Sequence, residues 1–172
     1  MQIDTERLRL RAFVDDDHTA IVAAMNDWAV TQWLGSPPYP YSDENARQWI
    51  ALVQDDHESP APGRFAVAGR ETDGLIGCVS VEDRADGAEL GYWLLPAHWG
   101  HGYATEASKA LVAHAFDAMG CHRLIAHTDP DNNASNGVLQ KCGFRQLGLV
   151  ARPETRRGKT ELLRHELFAG DR

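Results

Sequence analysis

From residue 89 onward, the apolar run Glu89-Leu90-Gly91-Tyr92-Trp93-Leu94-Leu95 passes through Pro96-Ala97-His98-Trp99-Gly100-His101-Gly102. It then opens directly into Tyr103-Ala104-Thr105-Glu106-Ala107. A strand that feeds a glycine-bearing loop and then a helix forces three elements to share one corner of the fold. Gly100 and Gly102 permit close backbone approach, and the first amides of the helix lack internal partners and sit at the positive end of its dipole. Such a corner suits a phosphate, although a tight strand-to-helix turn alone would also select glycine. It is not the dinucleotide fingerprint, which needs glycine where Thr105 stands, and it lacks the Gly-Lys-Ser/Thr of a P-loop.

A second segment supplies what the loop alone does not: Asp129-Pro130-Asp131-Asn132-Asn133-Ala134-Ser135-Asn136-Gly137-Val138-Leu139-Gln140-Lys141-Cys142-Gly143-Phe144. Together the two segments resemble the GNAT acetyltransferases. The cofactor-loop pattern of that family, Gln/Arg-x-x-Gly-x-Gly/Ala, falls on Trp99-Gly100-His101-Gly102-Tyr103-Ala104, and only the first position departs. The continuation Thr105-Glu106-Ala107, the second segment and the opening Thr5-Glu6-Arg7-Leu8-Arg9-Leu10-Arg11 are similar to the branch that contains the ribosomal-protein N-terminal acetyltransferases (the RimJ/RimL type). The likeness spans nearly the whole chain.

Bulk properties set outer limits. With 172 residues, 43% of them hydrophobic, the chain can bury one sizeable core and is short for two, so a single domain over 1–172 is expected. A net charge of -8 disfavours a nucleic-acid-binding surface and mildly favours cationic amines, or simply keeps the protein soluble. Cys78, Cys121 and Cys142 form no Cys-x-x-Cys or Cys/His metal pattern, so no metal is expected and the thiols read as reduced and structural. No apolar signal region opens the chain and no apolar run approaches the roughly 20 residues of a membrane span. A cytoplasmic protein without membrane partners is expected.

Periodicity fills in the elements. Arg7, Arg9 and Arg11 alternate with Leu8, Leu10 and Ala12, which predicts a strand over 7–13. Asp15, Asp16 and Asp17 read as the cap of a helix bearing Ile21, Val22 and Met25. The proline-rich stretch 35–41 interrupts the chain before Ser42 caps a helix with Ala46, Trp49, Ile50 and Val53 on one side. Strands over 64–69 and 75–82, joined at Asp73-Gly74, predict a hairpin. After a turn at 85–87 come a strand over 88–95, a helix over 104–119 stopped by Gly120, a strand over 123–128, a short helix over 135–141 ended by Gly143, and strands over 145–149 and 162–168. The linking stretch 152–159 is basic. The order predicts an α/β (α+β) mixed sheet. The resemblance sharpens it to a largely antiparallel GNAT sheet flanked by helices, with a splayed strand pair forming the cofactor cleft.

The resemblance also implies a chemistry. Acetyl-CoA would be the cosubstrate, its pyrophosphate held by the backbone from Gly100 to Thr105, within the stretch Trp99, Gly100, His101, Gly102, Tyr103, Ala104 and Thr105. Its pantetheine arm would pair with the strand ending at Trp93 and Leu94, where an amide could also bind the developing oxyanion. Asn132 matches the residue that holds the pantetheine arm and Ser135 the one placed near the leaving sulfur; both also suit a helix cap. Glu89 matches an acidic position that acts as base, with His127 and His165 as lesser candidates. The tyrosine that serves many relatives as general acid is replaced by Leu139. Trp33, Tyr39 and Tyr41 are candidate walls of the acceptor pocket. An acyl carrier at Cys142 or Cys121 is disfavoured for want of a setting that lowers a thiol pKa. The expected reaction is direct attack by an amine, foremost a protein or peptide N-terminal α-amine. The alternatives are a small amine (polyamine, aminoglycoside or amino acid) or a non-catalytic acyl-CoA sensor. Homodimerisation is left open.

Overall fold

The computed structural model describes residues 1–35, 37–54, 63–85 and 87–171. The proline-rich break and the turn at 85–87 each include one position, Ser36 and Asp86, outside the described residues. Among the described residues eight strands form one sheet: β1 (Ile3–Asp4), β2 (Leu8–Arg11), β3 (Arg64–Gly69), β4 (Leu75–Arg84), β5 (Gly87–Leu94), β6 (Arg123–Thr128), β7 (Arg145–Ala151) and β8 (Glu161–Phe168). Their spatial order is β1-β2-β3-β4-β5-β6-β8-β7. Every neighbouring pair is antiparallel except β5 and β6. The expected mixed sheet is what forms, with the last strand inserted between β6 and β7.

Helices cover both faces, as the strand patterns require. α4 (Tyr103–Asp117) and α5 (Asn133–Lys141) pack Leu111, Val112, Ala115 and Leu139 against Leu10, Val67, Val79, Leu90 and Leu124. On the opposite face, α1 (His18–Asn26) and α3 (Asp43–Gln54) bury Ile21, Met25, Ile50 and Val53 against Phe13, Ala66 and Cys78. Ser42 caps α3, its Oγ accepting from Asn45 N at 3.1 Å. Two short elements escaped the pattern reading: β1, only two residues long, and α2 (Trp28–Thr31), capped by Asp27. The Asp15–Asp17 run forms a 3-10 turn ahead of α1, and Asp17 turns inward to a two-pronged pair with Arg11 at 2.8 and 3.0 Å.

The feature that matters for function lies at β5. It keeps register with β4 over eight pairs, from Arg84↔Gly87 to Gly77↔Leu94. With β6 it shares, among the described residues, two pairs, Ala88↔Leu124 and Glu89↔Ile125. Beyond Glu89 the strands part, because β5 follows β4 while β6 stays with β8 as far as Thr128↔Leu163. A glycine at position 77 lets β5 lie close over β4. A methyl group on Gly77 would run into the Trp93 carbonyl oxygen and come within 2.8 Å of Leu94 Cα.

Two outcomes are expected. Gly77→Ala should destabilise the protein by about 1–3 kcal/mol, since backbone has to move, and denaturant unfolding measures it. His165 is buried and its Nε2 lies 2.9 Å from Thr128 Oγ1, which in turn donates to Asn136 Oδ1 at 2.5 Å. Burial, aided by the nearby His127 charge, holds the His165 pKa below its ordinary value. The unfolded chain therefore takes up this proton first, and the stability it contributes is present above the ordinary histidine range, about 6.5, and is lost as pH falls through the lowered folded value. His165→Gln keeps a donor and removes the titration, so melting temperature should fall less on acidification than in the wild type.

Candidate active site

The gap between β5 and β6 is the waist of a cavity of about 620 Å³ that reaches both faces of the sheet. On one side it is lined by Gly100, Gly102, Tyr103, Ser135 and Leu139, and on the other by Trp33, Leu34, Glu89, Trp93 and Arg152. Alternation along β5 produces the division. Ala88, Leu90 and Leu94 face α4, whereas Glu89, Gly91 and Trp93 face the α1 side.

Backbone polarity follows the same alternation. Leu95 N–H donates to Ile76 O at 2.9 Å, on the β4 side, so the N–H groups of Leu94 and Tyr92 turn the other way, into the gap. It is thus Leu94 and Tyr92, not Trp93, whose amides face the opening. Leu94 O accepts from Trp99 Nε1 at 2.8 Å, which explains what the departure from the cofactor-loop pattern does: the indole braces the loop against the strand end.

Past the short 3-10 turn Pro96–His98, Gly100 and Gly102 both take φ of 80°. Nothing lies within 4 Å of a Cβ built on Gly100, so the handedness of the turn, not crowding, demands glycine there. Gly102 caps α4, whose first internal bond runs from Glu106 N to Gly102 O, leaving the amides of Tyr103, Ala104 and Thr105 without helical acceptors. The loop is also held from outside. Arg7 Nη1 donates to His101 O at 2.9 Å, and its guanidinium lies 4.7 Å from the Tyr103 ring centroid. Glu106 accepts from Thr5 Oγ1 at 2.6 Å and from Arg7 N at 2.9 Å, and pairs with the Arg7 guanidinium. Burial raises the Glu106 pKa, but these hydrogen bonds and the Arg7 charge outweigh it and the net shift is down. The opening Thr5-Glu6-Arg7 run and the Thr105-Glu106-Ala107 run therefore meet.

On the far side, Glu89 Oε1 sits 2.7 Å from His127 Nδ1, which must donate to an ionised carboxylate. Arg84 and Arg152 guanidinium nitrogens lie 3.4 and 3.6 Å from the same carboxyl group. Burial opposes ionisation of Glu89, yet His127, Arg152 and Arg84 outweigh it and hold the carboxyl below its ordinary value. Glu82 is likewise paired with Arg64 and Arg84, at 2.7 and 2.9 Å.

The other expected residues divide. Asn132 caps α5, accepting from Ser135 N at 3.1 Å, while Ser135 Oγ does not cap and lies 2.8 Å from the Tyr92 hydroxyl. Trp33 lines the cavity under the Arg157 guanidinium, 4.6 Å from its ring centroid. Tyr39 is 73% exposed and Tyr41 is buried against α1 and α3; neither lines the cavity. His165 belongs to the β6–β8 core, not to the gap. Burial pushes the thiols up, Cys142 to about 11 and Cys78 to about 12, with Cys121 also raised. Among the described residues no three His, Cys, Asp or Glu side chains are grouped to hold a metal ion, and no helix is long and apolar enough to cross a membrane. Sequence reasoning missed Tyr92, Arg84 and Arg152; for Tyr92 the strand alternation was a usable signal, whereas the arginines come from strand ends.

Known proteins share this architecture. The N-acetyltransferase YoaA of Bacillus subtilis is 32% identical over 154 residues, 86% of this chain and 85% of that protein. The ribosomal-protein-serine acetyltransferase of Escherichia coli is 28% identical over 157 residues, 87% and 86% of the two chains. A solved structure of Mycobacterium smegmatis RimJ in complex with CoA-disulfide superposes with a TM-score of 0.80 at 24% identity, covering 95% of this chain and 82% of that one, a likeness of fold. Residues 7–145 match the acetyltransferase (GNAT) domain, and the chain with its parted strands, glycine loop and carboxylate-bearing cavity belongs to that family.

Proposed function

We propose that this acetyltransferase moves an acetyl group from acetyl-CoA to an N-terminal α-amine of a protein or peptide. The observation that carries the reading is the cavity that passes between β5 and β6, with an anion-binding loop at one end and the Glu89–His127 pair at the other. The amides of Tyr103, Ala104 and Thr105 suit the pyrophosphate, and the unpaired edge of β5 suits the pantetheine amides as an added strand. The Leu94 N–H is placed to donate to the thioester oxygen as charge develops there.

The acceptor enters from the Trp33 side, where it meets Glu89. A peptide α-amine titrates near 7.7 to 8.0, so a useful fraction is already neutral and the base has little to remove. Glu89, held ionised, fixes the His127 tautomer with its Nδ1 proton inward, leaving Nε2 as the proton acceptor of the pair or of a water between. A polyamine reading needs a pocket of unpaired carboxylates. Here Glu82 and Glu89 are matched by Arg64, Arg84 and Arg152, which removes most of the attraction for a polycation. That pairing favours a peptide over a small polycation.

Four tests follow from this assignment. With acetyl-CoA and a matched panel of short peptides and polyamines, thiol release and product mass should show acetyl groups on peptide α-amines; turnover of polyamines alone would overturn the acceptor, and no thiol release with any amine would leave a binding module. Glu89→Gln should lower kcat roughly 10²-fold. For the wild type, kcat/KM should rise with pH alongside the acceptor amine and show no inflection from Glu89, whose carboxyl ionises below its usual range. Glu106→Gln, by loosening the loop, should raise KM for acetyl-CoA about tenfold with a smaller change in kcat.

A further inference from the structure

The face of β5 opposite Glu89 carries a contact that the acceptor chemistry does not use. Tyr92 points toward α5, and its hydroxyl lies 2.8 Å from Ser135 Oγ and 3.1 Å from Ser135 O. The single Tyr92 proton faces both acceptors in a three-centre contact, and its shorter arm runs to Oγ, with the carbonyl as the second acceptor. Ser135 lines the cavity between the loop and the β5 edge. Leu139, which offers no proton, is fully buried one helical turn away.

We propose that Tyr92 is a positioning residue whose O–H donates to Ser135 Oγ and so aims the serine's own proton at the sulfur leaving the thioester. The inference rests on the acetyl-CoA reading above. Serine has one proton and two lone pairs. When the Tyr92 proton occupies a lone pair, the serine proton is free for the cavity; without Tyr92 that proton turns to the nearest protein acceptor instead. Hydrogen bonds in such a chain reinforce one another. Burial raises the Tyr92 phenol well above its ordinary pKa, so it keeps its proton and acts by orientation.

The step balances without a further reactant. The amine lone pair forms the new C–N bond, the C–S bond breaks, and its electron pair stays on sulfur. The amine proton passes to the Glu89–His127 side. The thiolate leaves under the Ser135 hydrogen bond and takes its proton from solvent.

The test separates this role from packing and from failure of the cosubstrate reading. CoA is bound first, and its thiol is titrated in the complex by thiolate ultraviolet absorbance, for the wild type, Tyr92→Phe, Ser135→Ala and the double variant. The bound thiol should ionise about one pH unit higher, a tenfold shift, in each variant, with CoA affinity within about twofold of wild type. kcat should fall about tenfold in each single variant and no further in the double, since both remove one interaction. Equal thiol titration in the wild type and Tyr92→Phe would overturn the proposal, as would additive losses in the double variant. Should Tyr92→Phe fold poorly, Ser135→Ala carries the titration, and an unmoved thiol there is equally fatal. Failure of CoA to bind the wild type would instead sink the cosubstrate reading.

Discussion

Backbone groups without partners are what the structure is organised around. β5 and β6 pair at Ala88↔Leu124 and Glu89↔Ile125 and then part, leaving N–H and C=O groups that a continuous sheet would have satisfied. Unpaired edges in a protein interior are costly, and here they open into a cavity instead of being covered by a neighbouring strand. Each parted strand is held by its outer neighbour: β5 by β4 across the close approach at Gly77, and β6 by β8 through His165 and Thr128. The gap therefore costs the fold two half-ladders but no support.

The same alternation that builds the sheet sorts the chemistry. Successive residues of β5 send a carboxylate to one face at Glu89 and a phenol to the other at Tyr92, while the amides of Tyr92 and Leu94 look into the gap between them. A thioester lying along that edge would have its carbonyl near backbone donors, its sulfur toward Ser135, and an amine arriving from the Glu89 side. Distant pieces of sequence keep this register. Thr5 and Arg7 reach Glu106 and His101, so the first residues of the chain hold the loop that the middle of the chain forms.

Much of this was legible in the sequence. The strand, loop and helix around Gly100 and Gly102 read correctly because glycine and periodicity report local conformation. The hairpin at Asp73-Gly74 and the cap at Ser42 were equally local. What stayed hidden depends on partners far along the chain. Asp17 looked like a dipole cap, but Arg11 draws it inward. Tyr41 looked like a pocket wall, but α1 and α3 bury it. His127 read as a lesser candidate, equal to His165, until the parallel pairing set β6 beside Glu89. Nor does any local pattern specify that β8 inserts between β6 and β7.

The central claim is that the unpaired edge of β5 receives the pantetheine arm. Residue-resolved amide hydrogen exchange with and without CoA tests it most directly. Slower exchange at Tyr92 and Leu94, together with the Tyr103, Ala104 and Thr105 amides, is the predicted result. Protection of the loop amides alone, with Tyr92 and Leu94 exchanging as fast as in the free protein, would contradict it.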